Sequence, residues 1–110
     1  MVKRTFTLNI DFNEDVAVNG LWAVVGEEGS TQLNIIPAVE AVELPLDYAV
    51  SLKCLRKDGL EEVVSVTNGV VDVPDTMYAK AGDVRMLIIA TSVDNTLKSA
   101  PFTFKILDEI

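Results

Sequence analysis

The chain reads as an all-β domain: a single antiparallel β-sandwich, immunoglobulin-like or jelly-roll-like, with seven to eight strands and one short helical turn. Three observations predict this. Apolar and polar residues alternate with a period of two in several stretches, the pattern of strands that bury one face. Asn19-Gly20, Asp58-Gly59 and Asn68-Gly69 stand between apolar runs, where residues that accept positive φ suit tight turns. The runs recur about every 8 to 12 residues, as in sandwiches and small barrels. At 110 residues the expectation is one domain, 1–110, with one core and no need of a disulfide or metal to hold it.

Each element has its own signature. Thr5 to Phe12 puts Phe6, Leu8, Ile10 and Phe12 on one face and Thr5, Thr7, Asn9 and Asp11 on the other, a half-buried strand that Asn13 to Asp15 ends. Leu21 to Val25 is apolar on both faces, which predicts a mid-sheet strand with Trp22 in the core. Gly26-Glu27-Glu28-Gly29 is a turn. Thr31 to Ile36 is a strand that Pro37 should stop, because proline has no N–H for a ladder. Ala38 to Asp47 fits a helical turn or an irregular edge strand, Pro45 excludes a long helix, and the segment should cross between sheets.

Val50 to Val73 is the clearest block, a meander of three short strands closed by Lys57-Asp58-Gly59 and Thr67-Asn68-Gly69. Within it Val50, Leu52 and Cys54 share an apolar face. Asp75 to Gly82 is punctuated as a short helix, with Asp75 as N-cap and Gly82 as stop, and Tyr78 on it is the candidate exposed aromatic. Asp83 to Val93, apolar on both faces around Met86 to Ala90, should lie mid-sheet. Asp94-Asn95-Thr96 turns the chain into a last strand, Leu97 to Leu107, with Phe102, Phe104 and Ile106 inward and Pro101 at a bulge or an edge.

Composition narrows the function classes. The net charge is −8, and no Lys or Arg lies between Arg4 and Lys53. That segment carries Asp11, Glu14, Asp15, Glu27, Glu28, Glu40, Glu43 and Asp47, a candidate interaction surface for a basic protein partner. Nucleic acid and anionic membranes need clustered Lys and Arg, so neither is an expected partner. No apolar run nears the roughly 18 residues that span a bilayer, and the alternating N-terminus is not read as a signal peptide, so synthesis in the cytoplasm is expected.

Chemistry is sparse. There is no histidine, and the single cysteine, Cys54, sits on an apolar face with no base to activate it. Asp11-Phe12-Asn13-Glu14-Asp15 opens like an EF-hand loop, but the sixth position is Val16 instead of Gly and the twelfth is Trp22 instead of Glu. The carboxylate pairs Glu27/Glu28 and Glu61/Glu62 point to opposite faces if they lie on strands, and Asp72 and Asp75 flank Pro74 in a turn. Phosphate-loop, nucleophile-elbow and metal-spaced motifs are missing from the sequence. The expectation is a protein that is not an enzyme, with no catalytic, cofactor-binding or metal-binding residues.

Four stretches in order carry a resemblance: Leu52-Lys53-Cys54-Leu55-Arg56-Lys57-Asp58-Gly59; Asn68-Gly69 with Val71-Asp72-Val73-Pro74; Ala81-Gly82-Asp83; and Ser99-Ala100-Pro101-Phe102-Thr103-Phe104-Lys105-Ile106. The series resembles the N-terminal domain of tail-baseplate proteins of phages that infect Gram-positive bacteria, the lactococcal-type upper baseplate family. It departs from that pattern at Cys54 and Leu55, where an aromatic is common, and at Lys57, where Pro often precedes Asp-Gly. The resemblance implies a structural domain of a virion tail or baseplate, from a phage or a prophage. Such a domain docks onto the distal tail protein or a neighbouring copy, works as a homo-oligomer and supports the host-adsorption apparatus. The helical stalk and receptor-binding domain that such proteins usually carry are not in these 110 residues, so the resemblance implies either the isolated domain or a small relative, and cell recognition is not assumed. The alternative is an immunoglobulin-like adhesin or carbohydrate-binding module, which would expose Trp22, Tyr48 or Tyr78 together on one face.

Overall fold

Two facing sheets, built from ten strands, make up the computed structural model, which describes residues 2–15 and 18–110. The strands are β1 (Arg4–Asp11), β2 (Leu21–Val24), β3 (Thr31–Val39), β4 (Val42–Glu43), β5 (Ala49–Leu55), β6 (Glu61–Ser65), β7 (Val70–Asp72), β8 (Gly82–Thr91), β9 (Thr96–Lys98) and β10 (Phe102–Leu107), with a 3-10 turn at Asp75–Tyr78. In the first sheet β3 is central, with β1 on one side and β7 and then β4 along the other. The second sheet runs β2-β10-β8-β5-β6, and β9 continues beside β8 where β10 stops. The all-β sandwich is therefore the architecture.

Two pairings, β1 with β3 and β2 with β10, are parallel, and the other pairings are antiparallel. The β1–β3 pair is parallel because β2, which follows β1 in the chain, lies in the opposite sheet. The chain leaves the first sheet, visits the second and returns, a crossover long enough for parallel pairing.

Period two sets what is buried. Leu8 and Ile10 of β1, Leu33 and Ile35 of β3 and Val71 of β7 face Leu52, Cys54, Met86, Ile88, Phe102 and Phe104 across the sandwich. Met77 and Tyr78 of the 3-10 turn close one end of this core, and Tyr78 meets Phe104 edge-on with centroids 6.4 Å apart. We refer to this as the Tyr78 end and to the opposite one, where β5 begins, as the Tyr48 end.

Several local expectations are corrected by long-range pairing. Leu21 to Val25 is not mid-sheet: among the described residues β2 pairs only with β10 and forms an edge, and with Leu21 and Ala23 turned inward Trp22 lies on the outer face at 39% exposure. β3 does not stop before Pro37 but runs on to Val39. Ile35 donates its N–H to Gly69 O, so two residues on the nitrogen of Pro37 faces the same side, into the gap between β7 and β4, where no ladder bond is lost. The meander is also split. β5 and β6 form a hairpin in the second sheet, but β7 pairs with β3 in the first. The Asn68-Gly69 turn is a genuine two-residue turn, with φ of 53° and 78° and reciprocal bonds between Thr67 and Val70, yet it switches sheets.

Ala38 to Asp47 combines both roles considered for it. Glu40 and Ala41, with φ of 51° and 63°, turn the chain into the edge strand β4, and the residues after it cross to β5. In the helical turn, Pro74 instead of Asp75 occupies the N-cap and no side chain caps it, while Gly82 begins β8. The final stretch is two strands, β9 and β10, separated at Pro101. There Ser99 donates its N–H to Ile88 O, and its Oγ accepts the Ile88 N–H at 2.9 Å, replacing a ladder acceptor at the bulge.

Candidate interaction surface

The eight acidic residues singled out above do not form one face. β1 and β3 lie side by side with Arg4 opposite Thr31 and Asp11 opposite Ala38, so the length of β3 separates Glu27 and Glu28 from Glu40 and Glu43. Glu27 belongs to the Tyr78 end and is an internal strut. Its carboxylate accepts the Val24 N–H and pairs with Arg4 at 3.3 Å, and the Arg4 guanidinium lies 4.0 Å over the Trp22 ring. The Val24 N–H, and after it Arg4, hold the Glu27 carboxyl below its ordinary pKa. Arg4 thus ties β1 in one sheet to β2 in the other.

Asp11 is also committed within the fold. Its carboxylate accepts backbone N–H groups from Asn13 at 2.9 Å, Glu40 at 3.0 Å and Ala41 at 3.1 Å. Those bonds, that from Asn13 foremost, lower its pKa. The EF-hand-like opening is therefore a clamp that holds the end of β1 against the turn between β3 and β4; Val16 lies outside the described residues. Among the described residues no three Cys, Asp or Glu side chains are grouped to hold a metal ion.

The other carboxylate pairs are separated or neutralised. Glu61 pairs with Lys53 at 3.0 Å, whereas Glu62 accepts from the Thr76 hydroxyl. Asp72 pairs with Lys3 at 2.8 Å, and Asp75 is exposed in the first turn of the 3-10 segment. At the Tyr78 end, Arg56 and Lys80 both pair with Asp58 beside a recess of about 290 Å³ that also borders Lys57 and Gly82. Arg56, and after it Lys80, hold the Asp58 carboxyl far below its usual range. This is a closed charge network spanning the Asp58-Gly59 turn and the 3-10 segment, with Arg56 also donating to Thr76 O at 3.0 Å.

Cys54 is fully buried, and desolvation, with Glu62 as the lesser cause, pushes its thiol up to about 12. A thiolate nucleophile is thus suppressed at neutral pH. The three aromatics considered for glycan stacking are dispersed. Trp22 sits on the β2 edge, Tyr48 at the other end donates its hydroxyl to Asn95 at 2.6 Å, and Tyr78 has no exposed surface. Tyr78 is the correction with the clearest cause. The 3-10 turn packs against β10 instead of lying on the surface, and it turns Tyr78 under the sandwich.

Sequence reasoning missed a groove of about 650 Å³ at the Tyr48 end. It opens where β7 stops and β4 has not yet begun, so the sandwich gapes between β3 and the β5–β6 hairpin. Val50 and Val66 are half-buried within it. Leu44-Pro45-Leu46 forms one lip and Asn68-Gly69 another. Leu46 is 102% exposed and Ile36 45%, while Glu43 is the only charged residue in the lining. The groove joins residues far apart in the chain, and its one sequence signal was the run of apolar residues and prolines from Leu44 to Leu46.

No protein-family model and no curated protein sequence matches this chain.

Proposed function

We propose that this chain is a structural docking domain of a phage or prophage tail or baseplate, acting through protein partners. The docking part is carried by one observation, the exposed apolar groove at the acidic Tyr48 end of the sandwich. Exposed apolar surface gathered in a concavity marks a binding face more often than scattered apolar residues do. The virion part is supported by the ordered motif series from Leu52 to Gly59 through Ser99 to Ile106 that resembles baseplate domains. A rigid core with its charges paired at one end suits a scaffold, and the dispersal of Trp22, Tyr48 and Tyr78 removes the stacking platform that a carbohydrate-binding module would need.

The test is location on particles. Antibody raised against the chain, applied to intact particles of the encoding phage or prophage and viewed by electron microscopy, should label the tail tip. Unlabelled tails, with the protein recovered only from the soluble fraction, would defeat the proposal.

A further inference from the structure

We infer that the groove at the Tyr48 end takes a segment of a partner protein in which apolar and basic side chains alternate; this deepens the docking proposal and rests on it. The apolar requirement comes from Leu46, which is uncovered at the lip, and from Val50 and Val66, which are only half-buried in the groove. A partner that inserts aliphatic side chains removes these three from water.

The basic requirement comes from charge. Glu43 lines the groove, Glu40 and Asp47 flank it, and Asp11, Glu14, Asp15 and Asp94 lie at the same end. The cations lie mainly elsewhere: Arg4, Lys53, Arg56 and Lys80 are bound in ion pairs toward the Tyr78 end. Lys98 is the one base toward the Tyr48 end, on β9 of the second sheet. A second copy would bring acids against acids at this face, so the occupant is a different, basic chain.

The mode of capture follows from β3. Where β3 borders the gap, Pro37 has no N–H, the Ile35 N–H is already given to Gly69 O at 2.7 Å, and the Pro37 carbonyl accepts from Leu44 at 3.4 Å. Strand addition needs free donors as well as acceptors along the edge, so recognition here is through side chains.

The probe is a short fluorescein-labelled peptide of alternating Leu and Lys, titrated against the full chain by fluorescence anisotropy, with Ser–Lys and Leu–Glu peptides as controls. The Leu–Lys peptide should bind, and binding should weaken as salt rises. Leu46→Asn and Glu43→Lys, both at exposed positions, should each weaken it about tenfold, and amide shifts on titration should map to Val50, Val66 and Gly69. Glu28→Lys changes the net charge equally at the opposite end and should alter affinity less than about twofold. Equal binding of the Ser–Lys peptide, or an equal loss with Glu28→Lys, would reduce the effect to non-specific charge and overturn the assignment. So would a wild-type dimer in sedimentation that Leu46→Asn dissociates, because a second copy would then own the groove. If the peptide fails while particle tails are labelled, only the groove assignment falls. If tails are unlabelled, the virion reading falls whatever the peptide does.

Discussion

Tyr78 offers the sharpest test of how the core is held. Its side chain has no exposed surface, it meets Phe104 edge-on at an interplanar angle of 89°, and its hydroxyl is buried with no hydrogen-bond partner among the described residues. The ring and the hydroxyl therefore act in opposite directions. The ring supplies apolar burial and an edge-to-face contact, whereas an unpaired buried hydroxyl costs about 1–3 kcal/mol of desolvation. Tyr78→Phe keeps the ring and deletes the cost, so it should raise stability by about 1–3 kcal/mol. At this chain length that is a rise in Tm of roughly 4 °C or more. Tyr78→Ala removes the ring as well and should lose about 3–5 kcal/mol. Urea unfolding followed by circular dichroism gives both numbers, and an unchanged m-value in Tyr78→Phe shows that the same cooperative unit is being compared. A loss of 1 kcal/mol or more in Tyr78→Phe would refute the reasoning, because the hydroxyl would then have a bonding partner, such as a trapped water, worth more than its desolvation.

Three further outcomes follow from the same contacts. Gly69→Ala should cost about 1–2 kcal/mol in urea unfolding, because Gly69 has φ of 78° and an added Cβ would sit 3.4 Å from Ile35 O. Cys54, buried and with its thiol pushed up to about 12, should be silent to a thiol-specific chromogenic disulfide in the native state and react fully in urea; native labelling within seconds would show that β5 opens readily. Asp11 has a folded-state pKa below its unfolded value, so its contribution is fully present above about pH 4 and is lost as the pH falls through the folded value. Asp11→Asn should therefore lower Tm at pH 7 and narrow the gap from wild type on acidification below pH 4; a gap that is constant with pH would show that the carboxylate charge is irrelevant to the clamp.

Strand alternation is legible in neighbouring residues, whereas what depends on distant partners is not. The alternation of Phe6, Leu8 and Ile10, the inward set Phe102, Phe104 and Ile106, and the bulge at Pro101 are stated by neighbouring residues and match the structure. Trp22 misled because its neighbours are all apolar. Its exposure follows from its register between the inward Leu21 and Ala23 and from β2 being an edge, where Arg4, far back in the chain, covers part of its ring. Pro37 misled because a missing N–H matters only where a ladder bond would form, and at that position there is a gap. The groove could not be read at all, since its lips at Leu44–Leu46 and Asn68–Gly69 meet only when β7 and β4 share the same side of β3.

The sequence by itself determined the material of the fold: strands from period two, turns from Asn-Gly and Asp-Gly, a buried inert thiol and an acidic N-terminal half. These are short-range properties, set by backbone geometry and by which side chains follow one another. Tertiary structure alone decided which sheet each strand joined, and so which residues lie on edges, which acids share an end and where the surface is concave. The turn at Asn68-Gly69 shows the division. Its two residues dictate a reversal of direction, but the strand that follows joins the open side of β3 in the other sheet, where Val71 is buried in the shared core.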